Sequence, residues 1–107
     1  MADDVLSRLA ALIVERRSAL VDTSYTRQLL DAGPQKCARK LGEEAIETVI
    51  AGIGTNSNEL CAEAADLLYH LLVLLEVRGV ALTDVLHTLE VRMAQSGLTE
   101  KASRKPQ

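Results

Sequence analysis

The chain has 107 residues, of which 48% are hydrophobic and 25% are charged, and its formal net charge at pH 7 is −3. These values are typical of one globular domain rather than of a disordered chain. The net negative charge and the presence of only two aromatic residues, Tyr25 and Tyr69, argue against nucleic-acid binding through a basic patch or stacked rings. The core must be built from aliphatic residues, as in small helical domains that often complete their core by oligomerising.

The N-terminal residues and the two cysteines predict a soluble, cytoplasmic protein. The opening MADDVLSRL is acidic and amphipathic, unlike a signal peptide. The longest apolar run, LLYHLLVLL, is too short to span a membrane, so no membrane partner is expected. Cys37 and Cys61 match no metal-binding spacing and are too few for a disulfide framework, so both are predicted to be reduced packing residues.

The helical spacing of apolar residues predicts five helices, and the first two cover the N-terminal third of the chain. The first is expected over roughly residues 3–20. The segment VDTSYT then breaks the pattern, and Ser24 or Thr26 is a candidate cap for a short second helix. This second helix is expected to run through Leu30 and to stop at the Ala-Gly-Pro sequence of residues 32–34.

The third and fourth helices are predicted to be the longest. The third runs over residues 35–53 and ends at two glycines. Asn56 is the expected cap of the fourth, because Glu59 follows three residues later, which is the spacing of a capping box. The fourth helix is expected to end at Arg78, since Gly79 is a typical C-terminal glycine cap.

A last helix, capped by Thr83 and running through about Met93, completes a single all-α domain over residues 1–96. The polar segment 97–107 is predicted to be a mobile tail. No alternating strand pattern occurs in the sequence. Because the connections are short, we expect the third and fourth helices to form an antiparallel hairpin in a bundle of four to five helices, completed by dimerisation.

Two acidic stripes lie on this predicted hairpin. At about 100° per residue, an arc of roughly 60° on the fourth helix holds Glu59, Glu63, Asp66 and His70. An arc of roughly 100° on the third helix holds Lys36, Lys40, Glu43, Glu44 and Glu47. In an antiparallel hairpin, the glutamates of the third helix would face Glu63 and Asp66.

Clustered carboxylates in a partly buried crevice are costly unless a proton or a cation neutralises them. Oxygen ligands without sulfur or nitrogen favour a hard cation, Mg²⁺ with Mn²⁺ as a substitute, rather than zinc. Mg²⁺ usually keeps positions for water and for substrate phosphates, and Lys36, Arg39 and Lys40 are suited to bind such phosphates. The pattern therefore predicts a metal-dependent site for a polyphosphate.

Plainer interpretations of the same residues are open. A single Glu-x-x-Glu pair on a helix is more often a solvated face, although two such pairs on adjacent helices favour a site. Lys36 and Lys40 are also at the spacing of ordinary salt-bridge partners of neighbouring glutamates. His70 alone is more often a hydrogen-bonded crevice histidine than a ligand, so it receives a supporting role.

The run Glu43-Glu44-x-x-Glu47, followed by Glu63-x-x-Asp66, resembles the E-E-x-x-E…E-x-x-D signature of the all-α nucleoside-triphosphate pyrophosphatases. That superfamily includes MazG-type enzymes, all-α dUTPases and phosphoribosyl-ATP pyrophosphatases. The stretches SYTRQLLDAG, KCARKLGEEA and EAADLLYHLLVLL are similar to the last of these families. The resemblance extends from residue 6 to about residue 92.

This resemblance implies hydrolysis of phosphoribosyl-ATP to phosphoribosyl-AMP and pyrophosphate, the second step of histidine biosynthesis. It implies a homodimer and four Mg²⁺ ligands, Glu44, Glu47, Glu63 and Asp66. Glu43 is then the candidate for orienting or deprotonating the attacking water. Phosphate or substrate contacts are expected from Lys36, Arg39, Lys40, Ser24, Tyr25, Thr26 and His70. The basic tail residues, Lys101, Arg104 and Lys105, either close over a phosphate or form a solvated end.

Three other functions fit parts of the pattern. A house-cleaning pyrophosphatase acting on dUTP, dCTP or a non-canonical triphosphate would share the acidic signature. A ferritin-type di-iron bundle needs Glu-x-x-His on two helices, whereas this chain offers only Asp66-x-x-x-His70. A non-catalytic helical dimerisation module would tolerate Glu47→Gln or Asp66→Asn, because either change relieves repulsion.

Overall fold

The computed structural model describes residues 4–95, which fold into five α-helices without any strand. They are α1 (Val5–Glu15), α2 (Tyr25–Ala32), α3 (Pro34–Ile53), α4 (Ser57–Val77) and α5 (Leu82–Met93). The predicted all-α class is thereby confirmed, whereas the predicted tail at residues 97–107 lies outside the described residues. Within residues 4–95, the helices lack the length and apolar character that a membrane span requires.

The predicted hairpin is the centre of the fold, since α3 and α4 contact each other more extensively than any other pair of helices in residues 4–95. Near the end of α3, a Cβ atom at Gly52 would lie 3.9 Å from Leu60, early in α4. One turn earlier in α3, the Thr48 hydroxyl reaches the carbonyl oxygen of Glu63, further along α4. Later positions of α3 therefore meet earlier positions of α4, as in an antiparallel pair.

Side-chain caps begin α2 and α4 at two of the residues that the sequence indicates. The Ser24 hydroxyl accepts a hydrogen bond from the backbone N–H of Arg27 at 3.1 Å, so Ser24 rather than Thr26 is the cap. The Asn56 side-chain oxygen accepts one from the backbone N–H of Glu59, also at 3.1 Å. Each cap satisfies a backbone donor that lacks a partner in the first turn of a helix.

Asn56→Ala is expected to lower the free energy of unfolding by about 1 kcal/mol, because the Glu59 N–H loses its acceptor. Urea unfolding followed by circular dichroism measures this loss. The matched control is Asn58→Ala, an exposed asparagine in the first turn of the same helix, where alanine is the better helix former. Equal losses in the two variants would contradict the capping role.

Glycine ends two of the helices, as the sequence indicates. Gly33 has φ 96° and separates α2 from Pro34, the first residue of α3. After α4, Gly79 has φ 72°. The Gly79 N–H donates to the carbonyl oxygen of Glu76 at 3.0 Å, and the Val80 N–H donates to the carbonyl oxygen of Leu75 at 2.9 Å. This pair of bonds is a Schellman motif, which confirms the predicted glycine cap.

The first helix ends earlier than predicted, because α1 stops at Glu15 and a 3₁₀ turn follows over Arg16–Ser18. The Arg17 guanidinium forms an ion pair with the Glu76 carboxylate of α4, and it also donates to the Glu76 carbonyl at 2.9 Å. Arg27 of α2 donates to the carbonyls of Arg17 and Ala19, at 2.9 and 2.8 Å. These long-range contacts stabilise the segment after Glu15 in a conformation that is not α-helical.

The predicted cap of the last helix is wrong. The residue at the N-cap of α5 is Ala81, which makes no side-chain capping bond, and Thr83 lies inside the first turn. The chain is already extended at Ala81 after the Gly79 cap, so the helix can start at Leu82, one residue before Thr83. Asp84 in the first turn places a negative charge near the positive end of the helix dipole.

The hydrophobic core lies at one end of the hairpin, where α1 and α2 cover the start of α3 and the second half of α4. Its buried residues are Ile13, Leu29, Leu30, Cys37, Leu72 and Val73. The predicted packing role is therefore confirmed for Cys37 and wrong for Cys61, whose side chain is exposed on α4. Both are free thiols.

The other end of the hairpin keeps apolar side chains exposed. The α3 residues Ile46, Val49, Ile50 and Ile53 are between 59% and 82% exposed. Their spacing places them along one side of the helix, and we call them the α3 stripe. Helix α5 has no buried residue at all. The single chain thus leaves a row of large apolar side chains uncovered on α3.

Candidate metal centre

Three carboxylates from the two hairpin helices converge. Glu44 of α3 and Glu63 and Asp66 of α4 each offer an oxygen atom, and these atoms all lie within 4.8 Å of one another. Glu63 and Asp66 are three residues apart, so they share a face of α4, and the antiparallel hairpin places Glu44 opposite them. These are three of the four ligands that the sequence predicts, brought together by two helices.

Glu63 is the carboxylate of this group with the least favourable environment for a negative charge. Its Oε1 atom is buried and has no hydrogen-bond partner among residues 4–95. Burial raises the pKa of Glu63 above its usual value, and the charges of Glu47, Asp66, Glu44 and Glu59 raise this pKa further. A buried, unpartnered oxygen surrounded by negative charge is stabilised by a cation. The donor set, which is oxygen throughout, fits a hard divalent cation.

The two remaining glutamates of the α3 run lie outside this group of three. Glu47 is exposed one turn beyond Glu44, yet its charge has the largest electrostatic effect of any carboxylate on Glu63. Glu43 is exposed, and its Oε1 atom lies 3.3 Å from the Lys40 ammonium. The roles of Glu47 as fourth ligand and of Glu43 as the residue that handles water stay predictions.

The three basic residues of α3 precede the acidic group. Lys36 and Arg39 are exposed, and Lys40 is half-buried. The hydrogen bond with Glu43 raises the pKa of Lys40, and the nearby Tyr25 and Glu44 contribute in the same direction. The salt-bridge partner of Lys40 is thus Glu43, three residues later in α3. The roles of all three basic residues as phosphate contacts stay predictions.

His70 lies buried one turn beyond Asp66 and connects the acidic group to α2. Its Nδ1 atom is 2.8 Å from the carbonyl oxygen of Asp66, which can only accept, so Nδ1 carries the hydrogen. In the neutral imidazole, Nε2 is then the acceptor for the Tyr25 hydroxyl at 3.5 Å. His70 is thus a hydrogen-bonded crevice histidine, and Tyr25, half exposed, is the member of the pair that solvent reaches.

Other members of the Ser-Tyr-Thr segment are held by the protein itself. Ser24 is buried as the cap of α2. The Thr26 hydroxyl is 2.5 Å from the Tyr69 hydroxyl, and the Tyr69 and His70 rings pack edge to face with centroids 4.9 Å apart. Substrate contacts from Ser24 and Thr26 stay predictions.

Sequence reasoning did not single out two residues at this site, Thr48 and Tyr69. The Thr48 hydroxyl lies 2.8 Å from the carbonyl oxygen of Glu44 and 3.1 Å from that of Glu63. Its only signal in the sequence is a polar side chain one turn after Glu44. Tyr69 packs against both Tyr25 and His70, and burial raises the pKa of its hydroxyl.

Together, these features define an all-α protein with a candidate divalent-cation centre between two antiparallel helices. Over residues 6–93 the sequence matches the family model described as phosphoribosyl-ATP pyrophosphohydrolase. The chain belongs to this family, which confirms the resemblance found in the sequence motifs.

Similar proteins named phosphoribosyl-ATP pyrophosphatase occur in several bacteria. The Nitrobacter winogradskyi protein is 56% identical over 96 residues, which cover 90% of this chain and 83% of that protein. The Dinoroseobacter shibae protein is 53% identical over 100 residues, 94% of this chain and 98% of its own. A Rhodopseudomonas palustris protein, named phosphoribosyl-ATP pyrophosphatase 1, is 50% identical over 98% of both chains.

Proposed function

We propose that this protein is an enzyme of histidine biosynthesis that hydrolyses phosphoribosyl-ATP to phosphoribosyl-AMP and pyrophosphate in the cytoplasm. The observation that carries the proposal is the convergence of Glu44, Glu63 and Asp66 around a buried, unpartnered Glu63 oxygen, in a chain of this family. Glu47 is the fourth proposed ligand, since its charge already acts on Glu63. Mg²⁺ is the proposed ion, with Mn²⁺ as a substitute.

When bound, the ion would polarise the reacting phosphate and offset charge on the pyrophosphate that leaves. The carboxylates of Glu44, Glu63 and Asp66 concentrate negative charge at one place between α3 and α4, and these three side chains would hold the ion there. One turn toward the start of α3, Lys40 supplies a positive charge for phosphate oxygens, and the exposed Lys36 and Arg39 extend this positive edge.

The proposed residue that handles water is Glu43. It is exposed on the same helix turn as Glu44, so it can accept a hydrogen bond from a water at the edge of the acidic group. Its ion pair with Lys40 has to open or be shared for that step. Substrate phosphates that attract Lys40 would free the Glu43 carboxylate at the same time.

The substrate assignment is tested by steady-state hydrolysis with purified protein and Mg²⁺. Phosphoribosyl-ATP is expected to give a far higher kcat/KM than dUTP or dCTP, with pyrophosphate as a product. Faster cleavage of dUTP or dCTP would instead identify a house-cleaning triphosphate pyrophosphatase. Absence of turnover on all three substrates would refute the proposed reaction and would favour the non-catalytic dimerisation module.

We also propose that the enzyme is a homodimer that covers the α3 stripe. Burial of large aliphatic side chains is strongly favourable, and the stripe is a continuous row of them on a helix that forms one wall of the site. Glu47 lies beside Ile46 in the sequence and Ile50 follows one turn later. A second copy that packs on the stripe would therefore border the acidic group.

Ile50→Glu is expected to weaken the dimer by about a hundredfold or more, because a buried unpaired charge costs several kcal/mol and each 1.4 kcal/mol is tenfold. Sedimentation equilibrium measures the dissociation constant. Val5→Glu, an exposed substitution on α1, is the matched control and should leave the dimer unchanged. A monomeric wild-type protein, or an Ile50→Glu protein that stays dimeric, would refute this interface.

A further inference from the structure

Thr48 is in contact with the backbone of two proposed ligands on two different helices. Its side-chain oxygen lies 2.8 Å from the carbonyl oxygen of Glu44 on α3 and 3.1 Å from that of Glu63 on α4. Both acceptors belong to residues of the three-carboxylate group. A single hydroxyl therefore connects the two walls of the candidate metal centre at the level of the ligands.

The first of these contacts is ordinary, and the second is not. Threonine in a helix often donates to the carbonyl four residues earlier, as Thr88 of α5 does to Asp84 at 3.0 Å. Thr88 is exposed and its hydroxyl serves its own helix. Thr48 is half-buried, and its hydroxyl also reaches a carbonyl of the neighbouring helix. Its one hydrogen is shared between two carbonyl oxygens or alternates between them.

Close approach of the helices makes this second contact possible. Ala51 is buried one turn after Thr48, and Gly52 faces Leu60, so small residues line this side of α3. The same approach brings Glu44, Glu63 and Asp66 together, where their charges repel each other. A hydrogen bond across the hairpin opposes that repulsion, and it does so at the position along the helices where the carboxylates meet.

We propose that Thr48 is a positioning residue, whose hydroxyl fixes the spacing and rotation of α3 against α4 and so preorganises Glu44 and Glu63 to bind the divalent cation. The inference rests on the proposed metal-dependent function. Residues that orient metal ligands typically change metal affinity by 10- to 100-fold when they are replaced. Thr48 touches the ligands through their backbone, so we expect the lower end of this range.

The test is Mg²⁺ binding to the substrate-free protein, measured by isothermal titration calorimetry. Thr48→Val keeps the shape of the side chain but removes the hydroxyl, and it should weaken Mg²⁺ binding about tenfold. Thr48→Ser restores the hydroxyl and should bind nearly as well as the wild-type protein. Thr88→Val removes an ordinary helix hydroxyl and should leave Mg²⁺ affinity unchanged.

Several outcomes would overturn the inference. Wild-type affinity in Thr48→Val would show that the hydroxyl does not position the ligands, and equal weakening in Thr48→Ser would show that side-chain shape matters instead. If Thr48→Val does not fold, Thr48→Ala takes its place, and wild-type affinity in that variant is equally decisive. If the wild-type protein binds no Mg²⁺, both this inference and the proposed function are overturned. If the wild-type protein hydrolyses phosphoribosyl-ATP and the Mg²⁺ affinity of Thr48→Val equals that of the wild-type protein, only this inference is overturned.

Discussion

Asp66→Asn is expected to lower kcat/KM for phosphoribosyl-ATP by about a thousandfold while the helices stay folded. Asparagine keeps the shape of the side chain but removes one of three converging negative charges. The charge stabilisation supplied by a catalytic metal ion is worth several kcal/mol, and each 1.36 kcal/mol of the barrier is a factor of ten in rate. Steady-state kinetics at saturating Mg²⁺ measures the loss, and circular dichroism checks the fold.

The matched control for this prediction is Glu90→Gln, which removes one negative charge from an exposed position on α5. It should leave kcat/KM within about twofold, because Glu90 lies outside the group of three carboxylates and the effect of an exposed charge is screened by water and salt. An Asp66→Asn protein that keeps wild-type turnover would remove Asp66 from the metal centre.

Glu47→Gln addresses the ligand that the structure leaves outside the group of three. A loss of turnover as large as that of Asp66→Asn supports Glu47 as the fourth ligand. A loss of only a few-fold assigns it to the electrostatic surroundings of Glu63, where its charge is already felt. Both variants keep the helical positions unchanged, so the comparison isolates the carboxylate.

The pairing of Glu44 with Glu63 and Asp66 was predictable because two local rules are enough to produce it. Periodicity of about 3.6 residues defines the acidic face of each helix, and a short connection makes the helices antiparallel. Asn56 and Gly79 set the ends of α4, so the register of the hairpin follows from nearby residues. The acidic faces then meet without any long-range information.

The features that sequence reasoning missed depend on contacts between residues far apart in the sequence or on the position of a residue along its helix axis. The end of α1 is set by Arg17, whose partner Glu76 lies 59 residues away. A helical wheel records angle and not height, so it does not separate Glu47 from Glu44, although one turn divides them. Cys61 follows the apolar pattern of α4, yet it faces solvent, because in this single chain the core lies at the other end of the hairpin.

Glu63→Gln is expected to have opposite effects on stability and on metal binding. Without metal, the variant should unfold at a higher temperature than the wild-type protein, because a neutral amide replaces a carboxylate whose buried oxygen has no partner among residues 4–95. With Mg²⁺ at a hundred times its dissociation constant, linkage stabilises the wild-type protein by about 2.7 kcal/mol. That corresponds to roughly 10 °C in the unfolding midpoint, and Glu63→Gln should lose most of this gain.

The raised pKa of Glu63 determines how the stability difference between the metal-free wild-type and Glu63→Gln proteins changes with pH. The pKa of Glu63 is raised in the folded protein, above its usual value of 4.5, by burial and by the neighbouring carboxylates. The folded state therefore binds the proton more tightly than the unfolded state does. Protonation of Glu63 stabilises the metal-free protein at low pH, and this contribution is lost as the pH rises through the raised pKa.

The metal-free advantage of Glu63→Gln should therefore be largest at pH values above the raised pKa of Glu63, and it should shrink as the pH falls through that pKa toward the usual value of 4.5. Thermal unfolding in the presence of a chelator measures it, with Glu90→Gln as the control for a general change of charge. A difference that stays constant over this pH range, or a wild-type protein more stable than the variant without metal, would show that Glu63 is not under electrostatic strain. The strain and the metal affinity have one physical origin, since the cation replaces the proton that Glu63 would otherwise have to bind.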